Sequence, residues 1–197
     1  MFRRPALAAL LATSLAIVAG CSKPPVEFKG VDITGADYAK QLALTDAEGK
    51  PRTLADFKGK AVVVFFGYVQ CPDVCPTTLA EVAAVKKQLG AEGDKVQAVF
   101  VTVDPERDTP EVLKAYMANF GPDFVALHGT PEQTQKAARE FKVFYAKVPG
   151  KTEGSYTVDH TAASFLFDKQ GRVRVYVRYG SGSEALAQDL KTLLAEN

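Results

Sequence analysis

The chain has 197 residues, 47% of them apolar, and its 24 basic and 23 acidic side chains leave a formal net charge of +1. A charge this close to zero provides no broad basic surface for a phosphate backbone, and the apolar fraction is too high for a disordered chain. Nucleic-acid binding and intrinsic disorder are therefore disfavoured. The length fits one globular domain.

The N-terminus has the composition of an export signal. Arg3 and Arg4 precede an apolar stretch, residues 5–20, which contains no acidic or basic side chain. The stretch ends in Ile17-Val18-Ala19-Gly20-Cys21, which resembles the lipobox at which bacterial lipoproteins are cleaved and lipidated. We expect residues 1–20 to be a lipoprotein-type export signal and Cys21 to be acylated, which places the protein in the periplasm, anchored to the membrane. An uncleaved anchor or ordinary cleavage would also place the body outside the cytoplasm.

Residues 21–40 are polar and show no sustained hydrophobic period. They contain Pro24-Pro25 and two glycines, which are typical of a linker. We expect a flexible membrane tether here, followed by a folded domain over residues 41–197. The alternative is an N-terminus that is disordered and has no function.

The first half of the expected domain begins with a hairpin, residues 42–44 against 52–54. Residues 61–67 are continuously apolar and rich in β-branched side chains, which predicts a central strand buried on both faces. Apolar residues at helical spacing predict a helix over 77–89, and a second buried strand follows over 96–103.

In the second half, Thr109-Pro110 and Thr130-Pro131 each predict the start of a helix, with threonine as N-cap and proline in the first turn. The remaining predicted segments are short strands at 124–127, 143–146 and 156–159, a hairpin of 163–167 with 173–177, and a last helix over 183–195. Parallel βαβ units followed by an antiparallel hairpin and a closing helix predict an α/β fold, a thioredoxin-like three-layer sandwich with an N-terminal β-hairpin.

Two cysteines follow the predicted central strand, in the order Cys71-Pro72-Asp73-Val74-Cys75. Reactive groups collect at the carboxyl ends of such strands. The four-residue offset predicts that both side chains lie on one face of a helical turn, with Cβ atoms about 5 to 6 Å apart. A helix N-terminus also favours the thiolate form. The pair is therefore expected to bind a metal ion or to act in thiol–disulfide chemistry.

Two other interpretations of the pair stay open. Both cysteines could be buried structural residues, although two prolines and an aspartate are atypical of a buried apolar helix. They could instead form a structural disulfide in an oxidising compartment, although closing so short a loop removes little unfolded-state entropy. Dedicated thioredoxin-like oxidoreductases normally have two residues between their cysteines, whereas this chain has three.

A third ligand would decide the kind of metal site. Two thiolates favour monovalent copper, and an added imidazole gives a ligand set that also holds divalent copper. The chain has two histidines. We prefer His160, in a polar loop that can fold over the cysteines, to His128, which follows a short strand. Zinc is less favoured because structural zinc sites use four protein ligands.

Three sequence blocks together resemble the signature motifs of the Sco/SenC family, and the similarity spans residues 42–193. The blocks are Gly67-Tyr68-Val69-Gln70-Cys71-Pro72-Asp73-Val74-Cys75-Pro76, Asp104-Pro105-Glu106-Arg107-Asp108-Thr109-Pro110 and Asp159-His160-Thr161-Ala162. The resemblance implies a thioredoxin-like copper protein that assists assembly of the dinuclear copper centre of cytochrome c oxidase, with Cys71, Cys75 and His160 as copper ligands. Val69-Gln70 and Thr161 depart from the more usual residues, but neither departure removes a ligand.

The resemblance also implies that Asp104, Arg107 and Asp108 lie in a loop near the site and contact a partner or orient a ligand. We further expect Asp73, between the cysteines, to tune their charge, and Asp159, next to His160, to contact a partner or support the ligand. The alternative is that Asp104, Arg107 and Asp108 form a solvated turn in which the charges pair with one another, and that Asp73 only fills its turn.

The favoured function is delivery of copper, as Cu⁺ or Cu²⁺, to the copper-bearing subunit of cytochrome c oxidase, with Cys71 and Cys75 as the reactive residues. Such a protein is a metallochaperone and not primarily an enzyme. The alternatives are a thiol–disulfide reductase that keeps the oxidase cysteines reduced, and a copper or redox sensor. A second periplasmic copper chaperone or a thioredoxin-like reductant would be a further partner, and no nucleic acid is expected.

Overall fold

The computed structural model describes residues 26–196, which contain one hydrophobic core. The expected export signal, Cys21 and the first residues of the expected tether lie outside the described residues. Within the described range, no helix is both long enough and apolar enough to cross a bilayer.

Ten strands occur in residues 26–196, and eight of them form one central sheet. The strands are β1 (Val31–Asp32), β2 (Ala43–Asp46), β3 (Pro51–Thr53), β4 (Ala61–Gly67), β5 (Val96–Thr102), β6 (Val125–His128), β7 (Tyr145–Pro149), β8 (Tyr156–His160), β9 (Ala163–Phe167) and β10 (Val173–Arg178). The sheet order is β1-β10-β9-β4-β5-β6-β2-β3, with β4, β5 and β6 parallel and all other neighbours antiparallel. β7 and β8 form a separate antiparallel pair.

Helices cover both faces of the sheet. They are α1 (Val74–Gln88), α2 (Pro110–Met117), α3 (Pro131–Glu140) and α4 (Ser183–Ala195), with short 3₁₀ helices at Leu54–Phe57 and Gly90–Lys95. The hydroxyls of Thr109 and Thr130 accept hydrogen bonds from the backbone of the first turns of α2 and α3, as predicted. Helices α1 and α4 pack against each other. The predicted thioredoxin-like α/β fold is confirmed.

The central strand β4 is buried along its whole length because it lies between β5 and β9 and under helices. Neighbouring side chains of a strand point to opposite faces. Phe66 packs on Phe141, with ring centroids 5.0 Å apart, and Phe65 packs on Phe100 at 6.3 Å. The strand is therefore held rigidly, and so is the point where it ends.

The folded domain begins earlier than the sequence predicted. The backbone N–H groups of Lys29 and Gly30 donate to the buried carboxylate of Asp189, at 2.6 and 2.8 Å. Strand β1 pairs with β10, and Ala39 is fully buried. The second half of the expected tether, residues 21–40, is therefore part of the domain.

The β7–β8 hairpin is the second difference. The sequence predicts short extended segments at 143–146 and 156–159, but it does not indicate that they pair with each other and leave the main sheet. Within this hairpin Tyr145 pairs with His160, and Pro149 pairs with Tyr156. His160 is therefore the last residue of a strand rather than part of a loop, and the hairpin sets its position.

Candidate metal centre

The cysteines lie where β4 passes into α1. Cys71 is in the connecting loop and is half-buried, whereas Cys75 is the second residue of α1 and is fully buried. The backbone N–H of Cys75 faces Cys71 Sγ at 3.4 Å. Helix α1 starts at Val74, three residues before its predicted start at Thr77. Pro76 is compatible with this start because a proline in the first helical turn sacrifices no internal hydrogen bond.

His160 reaches the cysteines from the β7–β8 hairpin. Its Nε2 lies 3.4 Å from Cys75 Sγ, and the ligand atoms of Cys71, Cys75 and His160 all lie within 4.8 Å of one another. Both thiols are free, so the described residues contain no structural disulfide. This is the only group of three or more His, Cys, Asp or Glu ligand atoms in residues 26–196 that lie close enough together for one metal ion.

The three atoms fit a single soft ion. With bonds of about 2.0 Å to nitrogen and about 2.3 Å to sulfur, donor atoms around one first-row ion lie roughly 3.5 to 4 Å apart. The observed separations need only small side-chain movements to reach these values. Two sulfur donors and one imidazole favour copper over harder ions.

The hydrogen bonds of His160 leave the correct nitrogen free for a metal. Nδ1 lies 3.1 Å from the carbonyl oxygen of Thr161, which can only accept, so Nδ1 carries the hydrogen and donates it. In the neutral ring Nε2 then has a free lone pair, and Nε2 is the atom that faces Cys75 Sγ. An outer hydrogen bond of this kind fixes the tautomer and orientation of a metal-binding histidine.

Aromatic side chains enclose the imidazole. Phe65 and Tyr68 both meet it edge to face, with ring centroids 5.9 and 6.0 Å away. Burial lowers the pKa of His160, while the hydrogen bond to Thr161 and the charge of Asp159 oppose that shift. The ring is therefore held in the neutral form that coordinates metals.

Burial also favours the neutral form of Cys75, which for a thiol means a higher pKa. It raises the pKa of the Cys75 thiol well above its ordinary value, and the backbone N–H of Tyr68 only partly opposes this. Desolvation thus acts at Cys75 against the thiolate form that a helix N-terminus favours. A bound cation supplies the compensating charge, since metal binding displaces the thiol proton.

Gly67 makes room for the buried thiol. A Cβ atom at this position would lie 2.8 Å from Cys75 Sγ and 2.9 Å from ring atoms of both Phe65 and Phe100. A residue with a side chain would push the sulfur or the rings aside.

Asp104 and Arg107 lie in the loop between β5 and α2, at the edge of the site. Asp104 is buried and accepts hydrogen bonds from Arg107 Nε and from the hydroxyl of Tyr156, the latter at 2.8 Å. Arg107 Nη1 donates to the Gln70 side chain at 3.0 Å and to the Tyr156 carbonyl at 2.9 Å. The loop is therefore not a solvated turn.

Asp108 is buried in the same loop and accepts from the Thr102 hydroxyl at 2.6 Å and from the Val69 N–H at 3.1 Å. Burial raises the pKa of Asp108, although these two hydrogen bonds oppose the shift. Asp108 thus ties its loop to the loop that carries Cys71. Asp73 and Asp159 are exposed, and Asp73 occupies the N-cap position of α1, where it accepts a hydrogen bond from Thr77.

His128, the alternative ligand, lies elsewhere. It ends β6 and pairs with Thr45 of the N-terminal hairpin. Sequence reasoning did not single out Gln70 or Tyr156 as residues of the site. Gln70 stands in the quoted cysteine block, but no local pattern signals Tyr156, because its contacts with Asp104 and Arg107 span about 50 residues.

Comparison with known proteins identifies similar chains. The SCO1/SenC family model matches residues 31–195. "Protein SCO2 homolog, mitochondrial" from Mus musculus is 36% identical over 156 residues, which cover 78% of this chain and 61% of that relative. The chain thus spans less than two-thirds of the length of that curated relative.

Two solved structures have the same fold. Bradyrhizobium japonicum ScoI with copper bound is 44% identical, with a TM-score of 0.71, and the match covers 78% of this chain and 98% of that chain. A SCO1/SenC family lipoprotein from Bacillus anthracis is 28% identical, with a TM-score of 0.64, over 80% of this chain and 98% of that chain.

Proposed function

Because the chain belongs to the SCO1/SenC family, we propose that its Cys71, Cys75 and His160 bind one copper ion. We propose further that the protein delivers this copper to the dinuclear copper centre of cytochrome c oxidase during assembly. The observation that carries the proposal is the convergence of two free thiols and an imidazole Nε2 within 4.8 Å. Copper is the cargo of the protein rather than a resident cofactor.

The different exposure of the three ligands supports an order for their exchange during the proposed transfer. Cys71 and His160 are half-buried at the rim, whereas Cys75 is fully buried beneath them. A ligand of the acceptor protein can reach the ion only from the rim. His160 and Cys71 are therefore replaced first, and Cys75 releases the ion last, so copper is never free in solution.

We propose that the protein is a periplasmic lipoprotein anchored through Cys21. The sequence of residues 1–21 supports this, and the related lipoprotein from Bacillus anthracis is consistent with it. Since Lys29 and Gly30 are fixed to Asp189, only about eight residues separate Cys21 from the domain. Eight residues span at most about 29 Å, so a lipid anchor at Cys21 would keep the domain close to the bilayer surface.

Anaerobic titration of residues 22–197 with Cu⁺ and with Cu²⁺ tests the proposal. We expect one equivalent of copper to bind, with a sulfur-to-copper charge-transfer band for Cu²⁺. Cys71→Ser should lower the affinity by more than the roughly 10–100-fold that loss of a ligand's hydrogen-bond partner costs. If the reduced wild-type protein binds neither ion, the copper assignment is wrong. Transfer is then measured with a purified apo oxidase copper domain, which should gain the copper that this protein loses.

A thiol–disulfide reductase is the second candidate, and the two free thiols favour it. Cys71, the more exposed thiol, would attack a target disulfide, and Cys75 would then displace the target. The target would leave with two thiols. Cys71 and Cys75 would be oxidised to a disulfide, which balances the two-electron reduction of the target. Incubation of the reduced protein with an oxidised oxidase copper domain tests this, because a reductase converts the target without any copper present.

A further inference from the structure

Arg107 connects the two parts of the chain that supply the metal ligands. One guanidinium nitrogen, Nη1, donates both to Gln70 Oε1, next to Cys71, and to the backbone carbonyl of Tyr156, on the strand that ends in His160. These bonds measure 3.0 and 2.9 Å. The loop that carries Arg107 supplies no metal ligand. Through Arg107, however, it connects the loop that carries Cys71 to the strand that carries His160.

The guanidinium is itself held in place. Its Nε donates to Asp104, whose side chain is fully buried, while the Arg107 side chain is only 20% exposed. Its carbon lies 3.6 Å from the centroid of the Tyr156 ring, which is close enough for a cation–π contact. The Tyr156 hydroxyl donates to the second carboxylate oxygen of Asp104 at 2.8 Å. Asp104, Arg107 and Tyr156 therefore form a closed three-residue clamp.

The clamp is placed to control His160. The β7–β8 hairpin pairs with no strand of the central sheet. Beyond the short connection from His160 to β9, where the Ala162 carbonyl accepts a hydrogen bond from the Tyr179 N–H, its position depends on side-chain contacts. The Thr161 N–H bonds to the Phe144 carbonyl within the hairpin's own base and does not tie it to the cysteine loop. The clamp holds the first residue of β8, and His160 is the last residue of that short strand.

We propose that Arg107 is a positioning residue that holds the imidazole of His160 over the two sulfurs and thereby determines how well the site holds Cu²⁺ relative to Cu⁺. The inference rests on the proposed copper function. Two thiolates suffice for Cu⁺, whereas Cu²⁺ requires the added nitrogen donor. When the clamp is broken, the hairpin is no longer held in place before copper binds. The free energy needed to order it then reduces the affinity for Cu²⁺, the ion that requires His160.

The test compares Cu²⁺ and Cu⁺ affinities of the chain from Ser22 onward for Arg107→Gln and Arg107→Lys. We expect Arg107→Gln to weaken Cu²⁺ binding about 10–100-fold, with a shifted charge-transfer band and altered electron paramagnetic resonance hyperfine coupling. Cu⁺ affinity should change by less than about threefold, which is under 1 kcal/mol. Arg107→Lys keeps the charge but cannot bridge Gln70, Tyr156 and Asp104 at once, so we expect it to behave like Arg107→Gln.

Glu106→Gln is the matched control. Glu106 lies in the same loop and pairs with Lys147 of the hairpin at 2.6 Å, but both side chains are about half exposed. Such exposed pairs contribute little, so this variant should bind both ions as the wild type does. Tyr156→Phe serves where Arg107→Gln does not fold, because it removes only the hydrogen bond to Asp104 and should also weaken Cu²⁺ binding selectively.

Equal losses for both ions, or no loss for either, would overturn the inference. In the His160→Ala background, Arg107→Gln should not change Cu⁺ affinity further; an additional loss there would show that Arg107 does not act through His160. Failure of the wild-type protein to bind either ion would refute the copper function itself. Wild-type binding combined with an unaffected Arg107→Gln variant would refute only the positioning role.

Discussion

His160 Nε2 and Cys75 Sγ lie 3.4 Å apart although 85 residues separate them in the chain. One atom comes from the first turn of α1 and the other from the end of β8, so neither element alone can hold a metal ion. The contact forms only when the β7–β8 hairpin folds over the end of β4.

His160→Ala should remove tight Cu²⁺ binding and leave thiol–disulfide exchange largely intact, because both sulfurs remain. We expect the Cu²⁺ dissociation constant to rise by more than about 100-fold, since a ligand and not only its hydrogen-bond partner is lost. Anaerobic titration and the rate of reduction of a model disulfide measure the two properties. His128→Ala is the matched control, because His128 lies on β6 away from the cysteines. Cu²⁺ affinity that survives in His160→Ala but falls in His128→Ala would reverse the assignment.

Gly67→Ala should disturb the metal centre as well as the stability. The new methyl group would lie 2.8 Å from Cys75 Sγ and 2.9 Å from ring atoms of Phe65 and Phe100, so it cannot be accommodated unless these side chains move. We expect a loss of about 1–3 kcal/mol in the free energy of unfolding, measured by urea denaturation, together with weaker binding of both copper ions.

A second glycine variant separates these two effects. Gly49 has φ +81° and open space around it, so Gly49→Ala is strained without touching the site. It should lose about 1–2 kcal/mol of stability, the cost of a left-handed backbone for a residue with a Cβ, and keep wild-type copper affinity. Equal copper affinities for Gly67→Ala and Gly49→Ala would contradict the proposed packing of Gly67 against the thiol.

The two cysteines should differ strongly in reactivity. Cys75 is fully buried and burial raises the pKa of its thiol, so at neutral pH it presents neither an accessible sulfur nor much thiolate. Cys71 is half-buried at the rim. Alkylation with iodoacetamide, followed by mass spectrometry, should therefore modify Cys71 first, and the Cys71→Ser variant should react slowly. Faster labelling of Cys75 than of Cys71 would show that the rim opens in solution.

Protonation of Asp46 at low pH should lower the free energy of unfolding of the domain. Burial opposes ionisation, but the Lys50 N–H and the Arg52 side chain hold the pKa of Asp46 below its ordinary value of 3.8. A carboxyl with a lowered pKa in the folded state contributes stability above its unfolded-state pKa, and that contribution is lost as the pH falls through the folded-state pKa.

The free energy of unfolding, measured from pH 6 down to about pH 2.5, checks this. Asp46→Asn should be less stable than the wild type at pH 6, and the difference should shrink toward the acidic end because the wild-type carboxylate becomes protonated there. A difference that is independent of pH would mean that Asp46 acts through packing alone.

Much of the fold was predictable because it depends on local patterns. Residues 61–67 are apolar throughout and rich in β-branched and aromatic side chains, which favours a strand covered on both faces. Thr109-Pro110 and Thr130-Pro131 start helices through hydrogen bonds made within the first turn. The N-terminal boundary was predicted too late, because residues 28–40 are attached by contacts with distant residues such as Asp189 and β10.

The chemical types at the site could be predicted from the chain alone: two thiols four residues apart after a central strand, a histidine in a polar segment, and charged motifs that resemble those of a known family. Folding was needed to show which histidine faces the sulfurs, which ring nitrogen is free, and that Cys75 is buried. Folding also places Arg107 between the cysteine loop and the histidine hairpin. Residue types and hydrogen bonds within one turn depend on neighbouring positions, whereas desolvation and long-range contacts depend on how distant segments pack.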